Sequence, residues 1–252
     1  MSESVIDEPR APYADAESLL GDVDFPTLGS QVIAHCEGTY CHGPGDKFGE
    51  PFRFTDDFAR FVLHAYRLDP DSGRRVYRLG AFLRAKGAAK SEGAAALACA
   101  EAIGPTRCDG FDSDGEPVGV PVRSPFVRCL ATEETQSGLV YQTAATMLEY
   151  ARDVHGLEAD IGRTRTYLRG GGEIRPSTAA SASKDGGRET FAIADEAHLY
   201  TTPELHAMYD VIRRNLTKRK AAQPWLLITS TAFRPGERSV AEELHEYVTG
   251  AA

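Results

Sequence analysis

Two adjacent carboxylates, Asp195 and Glu196, follow a short apolar run over residues 191–194. Such a run is typical of a strand buried on both faces of a parallel sheet, and its end lies where α/β proteins bind ligands. A carboxylate there can hold Mg²⁺, largely through water, while its neighbour orients or deprotonates an attacking water. We therefore expect Asp195 to be the metal carboxylate and Glu196 the catalytic one. The alternative is an Asp-Glu helix cap after a buried strand.

A second group, RAKGAAKS at residues 84–91, has the parts of a phosphate-binding loop. In such a loop backbone N–H groups converge on phosphate, a lysine reaches the terminal phosphates and a hydroxyl binds Mg²⁺ at a helix start. Arg84 and Ala89 stand where the pattern GxxxxGK[ST] has glycines, so a small-residue turn before an exposed lysine is the alternative. The acidic pair about a hundred residues downstream favours nucleotide binding. The expected nucleotide-binding residues are Gly87, Ala88, Ala89, Lys90, Ser91 and Glu92, with Ser91 and Asp195 as the metal ligands.

Three hydroxyl residues, Thr229, Ser230 and Thr231, end the next apolar run. At this strand end a hydroxyl can bond the catalytic carboxylate or the γ-phosphate and so report the state of the nucleotide. Threonine is also a good strand residue in its own right. We interpret the three as a sensor.

The elements that must position these residues alternate along the chain. Two short helices between residues 28 and 69 enclose a Gly/Pro-rich stretch at 42–52. The strands are predicted at 76–83, 126–131, 164–168, 190–195 and 225–229, and the helices at 91–103, 135–154 and 203–217. Alternation of this kind predicts an α/β fold with a mostly parallel central sheet flanked by helices. Residues 1–25 are acidic and are expected to form a loose lead-in.

Composition narrows the class of protein. The chain has 252 residues, 42% hydrophobic and 26% charged, with 28 basic and 37 acidic residues and a net charge of −9. This balance disfavours a protein whose whole surface coats nucleic acid. The apolar runs are too short to span a bilayer and the N-terminus lacks a secretory signal, so we expect a protein of a reducing cytoplasm with no membrane partner. Five scattered cysteines imply no disulfide framework, and we expect most to be buried.

Two weaker signals each have a plain alternative. Five cations at the end of a predicted helix are read as a DNA or subunit contact, or as solvated charges that complement the helix dipole. They are Arg213, Arg214, Lys218, Arg219 and Lys220. The pairs His35-Cys36 and Cys41-His42 offer zinc ligands, but no second ligand pair stands nearby, so buried thiols are the favoured interpretation.

Together these segments resemble one family, the large terminase subunits of tailed double-stranded DNA phages, and specifically their N-terminal packaging ATPase. The resemblance covers nearly the whole chain. The segments that carry it are HGPGD and GEPFRFTDDF within 42–58, YRLD at 66–69, RAKGAAKSE at 84–92, TEETQ at 132–136, DEAH at 195–198, RRNLTKRK at 213–220, and TSTAF with PGERSVAE at 229–242. Phosphate loops that depart from the usual glycine pattern are familiar in this family.

The resemblance implies a three-layer P-loop NTPase of the RecA-like, ASCE type that uses ATP and Mg²⁺ to drive double-stranded DNA into a capsid. It implies a ring of subunits on a portal protein, with a small terminase subunit as a further partner, in the host cytoplasm and transiently on the procapsid. Thr229, Ser230 and Thr231 look like the coupling motif. One ATPase domain is expected over 26–252, with a helical lead-in at 26–75 and a core at 76–252. The nuclease domain is expected to be absent from this chain and supplied elsewhere.

An ATPase of this type needs a positive charge at the γ-phosphate. Arg84 and Lys86 are the candidates within the chain, and Arg128, Arg163 or Arg188 the candidates in a neighbouring subunit. We expect adenine recognition near residues 52–55. The rival functions are one lobe of a DEAH-type helicase, which would require a second ATPase lobe, and a nucleotide-binding ring subunit that has lost hydrolysis, which Ala89 suggests.

Overall fold

The computed structural model describes residues 23–130, 132, 138–178 and 186–250. Within these ranges the helices are α1 (Gly29–Thr39), α2 (Asp56–Ala65), α3 (Lys90–Ile103), α4 (Gly138–His155), α5 (Pro203–Asn215) and α6 (Val240–Thr249). The strands are β1 (Leu79–Leu83), β2 (Arg107–Phe111), β3 (Pro117–Val120), β4 (Phe126–Leu130), β5 (Ala159–Ile161), β6 (Thr166–Leu168), β7 (Gly172–Ser177), β8 (Phe191–Ala194) and β9 (Trp225–Ser230). None of the helices in these ranges is long and apolar enough to cross a membrane.

Seven strands form one sheet in the order β1-β9-β8-β4-β7-β6-β5. The five strands from β1 to β7 in that order run parallel, whereas β6 and β5 run antiparallel at one edge. The remaining two, β2 and β3, pair as a separate antiparallel hairpin. The predicted mostly parallel sheet is therefore confirmed, and the carboxyl ends of β1, β9 and β8 lie side by side.

Helices cover both faces of the sheet, because successive side chains of a strand point to opposite sides. In β8, Phe191 and Ile193 pack into the hydrophobic cluster that includes α1, α2, α3 and α4. Ala192 and Ala194 pack into a second cluster with α5 and α6. All four side chains are fully buried. The arrangement is the expected three-layer α/β fold.

Helix α3 lies against β4, β8 and β9, and its small residues allow the close approach. The N-terminal turn of α3 also lies close to α2, since a Cβ at Gly93 would stand 2.7 Å from the ring of Phe58 in α2. Ring and helix would have to move apart to admit it. This packing fixes the N-terminus of α3, where Lys90 and Ser91 lie, above the carboxyl edge of the sheet.

Several elements differ from the prediction. The first strand begins at Leu79 rather than residue 76, and the hairpin β2–β3, the strands β5 and β7 and the helix α6 were not predicted. Pro176 lies within β7, although proline cannot donate to a sheet ladder. It is tolerated because β6 pairs only with the first half of β7, so the neighbouring position on that side is open. The predictions for residues 1–22 and 133–137, including most of TEETQ, lie outside the described residues.

Candidate functional site

The candidate site lies at the carboxyl edge of the sheet, where three neighbouring parallel strands end. Strand β1 leads into the loop at 84–89 and then into α3. Strand β8 ends directly before Asp195, and β9 ends at Thr229 and Ser230. Since the register aligns Ala194 of β8 with Ile228 of β9, the acidic pair and the hydroxyls emerge next to each other.

Asp195 is the centre of this edge and receives one hydroxyl on each carboxylate oxygen. Ser91 Oγ donates to Asp195 Oδ2 at 2.7 Å, across 104 positions of sequence. Thr229 Oγ1, which is fully buried, donates to Asp195 Oδ1 at 2.5 Å. Hydroxyl and carboxylate oxygens are the ligands that a hard cation such as Mg²⁺ prefers. The structure thus brings together both residues that the sequence predicts as metal ligands, and adds Thr229 as the group that orients Asp195.

Lys90 is the first residue of α3, and its side chain turns back into the loop. Its Nζ donates to the carbonyl oxygen of Ala85 at 3.0 Å, and the residue is only 5% exposed. Two loop residues, Gly87 and Ala89, have φ of 88° and 49°, in the left-handed region. For the alanine this conformation costs about 1–2 kcal/mol. Ala89 therefore adopts a backbone that favours glycine, at the position where the nucleotide-loop pattern has one.

Glu196 is a second non-glycine residue in the left-handed region, with φ of 52°. Its Oε2 atom is buried and has no hydrogen-bond partner in the described part of the chain. Among the described residues, the Nδ1 atom of His198 lies 3.2 Å from Glu196 Oε2. Strained backbone and an unpaired polar atom cost free energy and cluster at functional sites. Glu196 has both beside Asp195.

His198 joins Glu196 to the end of β9. Its backbone N–H donates to Ser230 Oγ at 3.0 Å, and its ring Nδ1 lies 3.2 Å from the same hydroxyl. The Thr231 hydroxyl lies 3.3 Å from both ring nitrogens. The sequence predicts no role for His198, and its one signal is its place as the last residue of DEAH at 195–198.

Glu92, which the sequence predicts to bind nucleotide, lines a cleft over this edge and also anchors the lead-in to α3. Its Oε1 accepts from His42 Nδ1 at 3.0 Å and from the Gly43 N–H at 2.9 Å. Burial acts to raise the pKa of Glu92. The hydrogen bond from His42, the charge of His42 and the hydrogen bond from the Gly43 amide together outweigh burial and hold the pKa of Glu92 below its usual value. The carboxylate therefore positions the turn at 42–46 beside the loop.

A cleft of about 910 Å³ opens over this edge. The loop and α3 contribute Lys86 and Lys90 to its wall, the acidic pair contributes Glu196, and the lead-in contributes Phe54 and Thr55. With Arg53, three of the four residues at which we expect adenine recognition, 52–55, therefore line the cleft. Phe52 does not line it and is 1% exposed, in the core.

The candidate cations occupy different surroundings. Arg84 Nε donates to Asp57 Oδ2 at 2.9 Å, on the exposed start of α2, whereas Lys86 lines the cleft. Arg128 is 2% exposed and forms ion pairs with two buried or nearly buried glutamates, so it cannot reach a neighbouring subunit and that prediction is wrong. Arg188 precedes β8, at the opposite edge of the sheet. Arg163 is exposed in the turn between β5 and β6.

The cluster at 213–220 also lies at the opposite, amino edge of the sheet. Arg213, Arg214, Lys218 and Lys220 are exposed there. Arg219 is half-buried, and its guanidinium donates to the carbonyl oxygens of residues 123, 124 and 188 at 2.7–3.3 Å, so it is not one of the solvated charges that the sequence offers as the alternative to a DNA or subunit contact. Burial and the charges of neighbouring arginines lower its pKa. Arg219 ties together the segments that precede β4 and β8.

All five cysteines are free thiols, and four of them are buried. Burial raises the pKa of Cys129 to about 12, which keeps that thiol protonated and inert. Cys36 lies in the core against the Ala96 carbonyl oxygen. Among the described residues no three His, Cys, Asp or Glu side chains are grouped as a metal site would require.

Fold and site together define a mixed α/β protein whose carboxyl sheet edge gathers a loop, an acidic pair and a row of hydroxyls. The chain is 34% identical over 196 residues to the Gene 13 protein of Mycobacterium phage L5, and 32% identical over 198 residues to that of Mycobacterium phage D29. These matches cover 75% and 76% of this chain but 32% of each relative, so the chain spans about a third of their length. No protein-family model matches it.

The structure is similar to the crystal structure of the HK97 bacteriophage large terminase. The TM-score is 0.63 at 19% sequence identity, over 89% of this chain and 42% of that chain. The chain therefore has the fold of part of a phage large terminase, and relatives among phage proteins.

Proposed function

We propose that this chain is the ATP-hydrolysing motor domain of a phage terminase large subunit, which drives double-stranded DNA into a capsid. The observation that carries the proposal is the convergence on Asp195: a hydroxyl from the start of α3 and a hydroxyl from the end of β9 bond its two oxygens. A loop before a helix, beside an acidic strand end, is the arrangement that nucleotide phosphates and Mg²⁺ require. The fold shared with the HK97 large terminase and the phage relatives support the same conclusion.

The residues present fit the nucleotide. Lys90 is the cation for the β- and γ-phosphates, and the hydrogen bond from its Nζ to the Ala85 carbonyl keeps it inside the loop. The backbone N–H groups of residues 87–89 are the further donors, and the left-handed turns at Gly87 and Ala89 curve the loop as an anion cradle requires. Because Ala89 already has the backbone of the usual glycine, its Cβ gives no reason to expect a hydrolysis-deficient subunit.

Ser91 and Asp195 would hold Mg²⁺, whose charge, when it is bound, offsets that of the phosphates. The pair offers one hydroxyl and one carboxylate oxygen already 2.7 Å apart, and Thr229 fixes the other carboxylate oxygen. A small cation that keeps several of its waters needs only one or two protein oxygens of this kind.

Glu196 is the base in this proposal. Its Oε2 lies at the same edge, lacks a hydrogen-bond partner among the described residues, and can accept a proton from the attacking water. Lys86 is better placed than Arg84 to supply a second positive charge, since it lines the cleft while Arg84 is paired with Asp57. We propose an exposed arginine of a neighbouring subunit, for which Arg163 remains a candidate, as the charge that completes the site.

We further propose that residues 26–252 act as one ATPase domain, with a lead-in at 26–75 and a core at 76–252. The support is that α1 and α2 share one hydrophobic cluster with the sheet. The exposed cations Arg213, Arg214, Lys218 and Lys220 are proposed to contact DNA phosphates or a neighbouring subunit. We propose that the subunits form a ring on a portal protein. The further proposed partners are the small terminase subunit and a nuclease on another segment or chain.

ATP binding by the Lys90→Ala variant tests the proposal. We expect calorimetry to give ATP·Mg²⁺ binding by the parent chain and at least hundredfold weaker binding by Lys90→Ala, about 3 kcal/mol, because the main phosphate cation is lost. Lys218→Ala is the matched control at the opposite edge and should bind as the parent does. Equal affinity of Lys90→Ala and the parent would remove the nucleotide-site assignment.

A further inference from the structure

We infer that His198 is a positioning residue for Glu196, and that Ser230 connects it to the loop at 84–89. The inference deepens the proposed function and rests on it. Its basis is the chain of contacts from the loop to the carboxylate, in which each step is a hydrogen bond or a close approach between described residues.

Ser230 is the first link, because its two oxygens face different elements. Its carbonyl oxygen accepts from the backbone N–H of Arg84, the first residue of the loop, at 3.1 Å. Its hydroxyl oxygen accepts from the backbone N–H of His198 at 3.0 Å. Ser230 is fully buried, so both bonds are shielded from water. A movement of the loop that shifts Arg84 is therefore felt at the position of His198.

The ring of His198 is the second link, and one proton on Nδ1 decides between two arrangements. Nδ1 lies 3.2 Å from Glu196 Oε2 and 3.2 Å from Ser230 Oγ. An ionised carboxylate only accepts hydrogen bonds, so Nδ1 must carry the proton to bond Glu196. When the neutral ring carries its proton on Nε2 instead, Nδ1 can accept the Ser230 hydroxyl proton, and Glu196 is released.

Glu196 depends on this contact. Its Oε2 is buried with no hydrogen-bond partner in the described part of the chain, and His198 Nδ1 is the group that approaches it. The His198 side chain is 23% exposed at the sheet edge rather than in the core, so its loss should leave the fold intact. The ring therefore holds the carboxylate in place, and the strained backbone at Glu196 is consistent with a residue held for function.

Three substitutions separate positioning from a structural role. The side-chain nitrogen of asparagine falls near Nδ1 and that of glutamine near Nε2, so His198→Asn keeps the donor that faces Glu196 and His198→Gln does not. We expect His198→Ala and His198→Gln to lower kcat for ATP about tenfold, with ATP affinity within about twofold of the parent, and His198→Asn to keep more than half of kcat. Equal loss in all three variants, or none in any, would overturn the inference.

A measurement without nucleotide tests the same contact independently of turnover. Long-range ¹H–¹⁵N spectra of ¹⁵N-histidine-labelled protein report which ring nitrogen carries the proton, and the loss of signals in His198→Asn assigns them. We expect Nδ1 to be protonated in the parent, and the proton to move to Nε2 in Glu196→Ala because the Ser230 hydroxyl then donates to Nδ1. An unchanged tautomer in Glu196→Ala would overturn the inference. If the tautomer changes but the parent binds no ATP, the contact stands and the proposed function fails.

Discussion

Both edges of the sheet hold carboxylate side chains, but the carboxylates have different roles at the amino edge and at the carboxyl edge. At the amino edge, the carboxylate of Glu101 is completely buried near the end of α3. Its Oε1 accepts from Tyr66 Oη at 2.9 Å and from Trp225 Nε1 at 2.8 Å. Arg75 and Arg107 add ion pairs at 3.2 and 2.9 Å. This carboxylate binds the lead-in, α3, the β2–β3 hairpin and β9 to one another.

At the carboxyl edge the two acidic residues are held at fewer points, and Glu196 lines a cleft. Asp195 receives two hydroxyls, and Glu196 Oε2 lies 3.2 Å from His198 Nδ1. The backbone there includes two non-glycine residues in the left-handed region, Ala89 and Glu196. The amino edge therefore stabilises the fold through a buried carboxylate and its ion pairs, whereas the carboxyl edge presents Glu196 to a cleft where it can bind and react.

The largest effect should come from Glu101→Gln. The substitution keeps the size of the side chain but leaves two buried arginines without their anion, so we expect a loss of about 3–5 kcal/mol of unfolding free energy. Chemical denaturation measures it. If the amino edge is only structural, the variant that remains folded binds ATP as tightly as the parent. Weaker binding by folded protein would show that the two edges are not separate.

Glu196→Gln should affect ATP turnover and leave stability unchanged, the reverse of Glu101→Gln. We expect turnover of ATP to fall by about 10²–10³-fold while ATP stays bound and the unfolding free energy stays within about 0.5 kcal/mol of the parent, because only the proton acceptor is lost. Steady-state hydrolysis and calorimetry measure the two quantities. Normal turnover by this variant would refute the role of Glu196.

The amino edge also contains both a structural and an exposed arginine. Arg219→Ala should cost about 1–3 kcal/mol of unfolding free energy because the carbonyl oxygens of three residues lose their donor. Arg214→Ala, the exposed control, should change it by less than about 0.5 kcal/mol. Thermal or chemical unfolding compares them. Equal effects would mean that the contacts of Arg219 contribute nothing.

Substitution of the exposed cations of the same cluster should change the binding of partners rather than stability. Neutralising Arg213, Arg214, Lys218 and Lys220 together, with Arg219 kept, should weaken DNA binding or subunit assembly and reduce its salt dependence. A salt titration of DNA binding, with sedimentation for assembly, measures this. Unchanged values in both would make these four residues an ordinary solvated surface.

The smallest effect should come from Ala89→Gly. Glycine adopts the left-handed conformation at residue 89 without steric cost, which leaves the loop freer to turn its N–H groups toward phosphate. We expect ATP to bind about threefold tighter, measured by calorimetry. Weaker binding would show that the methyl group of Ala89 stiffens the loop to advantage.

Much of the carboxyl edge could be predicted from the sequence because its signals are local. The apolar run before Asp195 and the lysine and hydroxyl at a helix start each lie within a few residues. Parallel topology then places strand ends together. The predicted pairing of Ser91 with Asp195 at one metal site rests on those two facts, and the 2.7 Å bond between them agrees with it.

The contacts of the amino edge could not be predicted, because they join residues far apart in the sequence. They also involve charged residues, which are usually exposed. Glu101 is a single acidic residue on an alanine-rich helix, and Arg128 is a single cation on a strand, so neither local pattern indicates burial. Both are buried because opposite charges from distant segments meet them. Strand β7 is not predicted from the sequence because Gly and Pro locally disfavour a strand. It forms because the neighbouring strand β4 supplies its backbone pairing.

The Mg²⁺ dependence of ATP binding at Asp195 tests the nucleotide site most directly. We expect that replacing Mg²⁺ with EDTA weakens ATP binding to the parent at least tenfold, because Ser91 and Asp195 lose the cation that joins them to the phosphates. Asp195→Asn should bind ATP weakly whether or not Mg²⁺ is present. Tight ATP binding that is the same with Mg²⁺ and EDTA, in the parent and in Asp195→Asn alike, would contradict the nucleotide-site assignment.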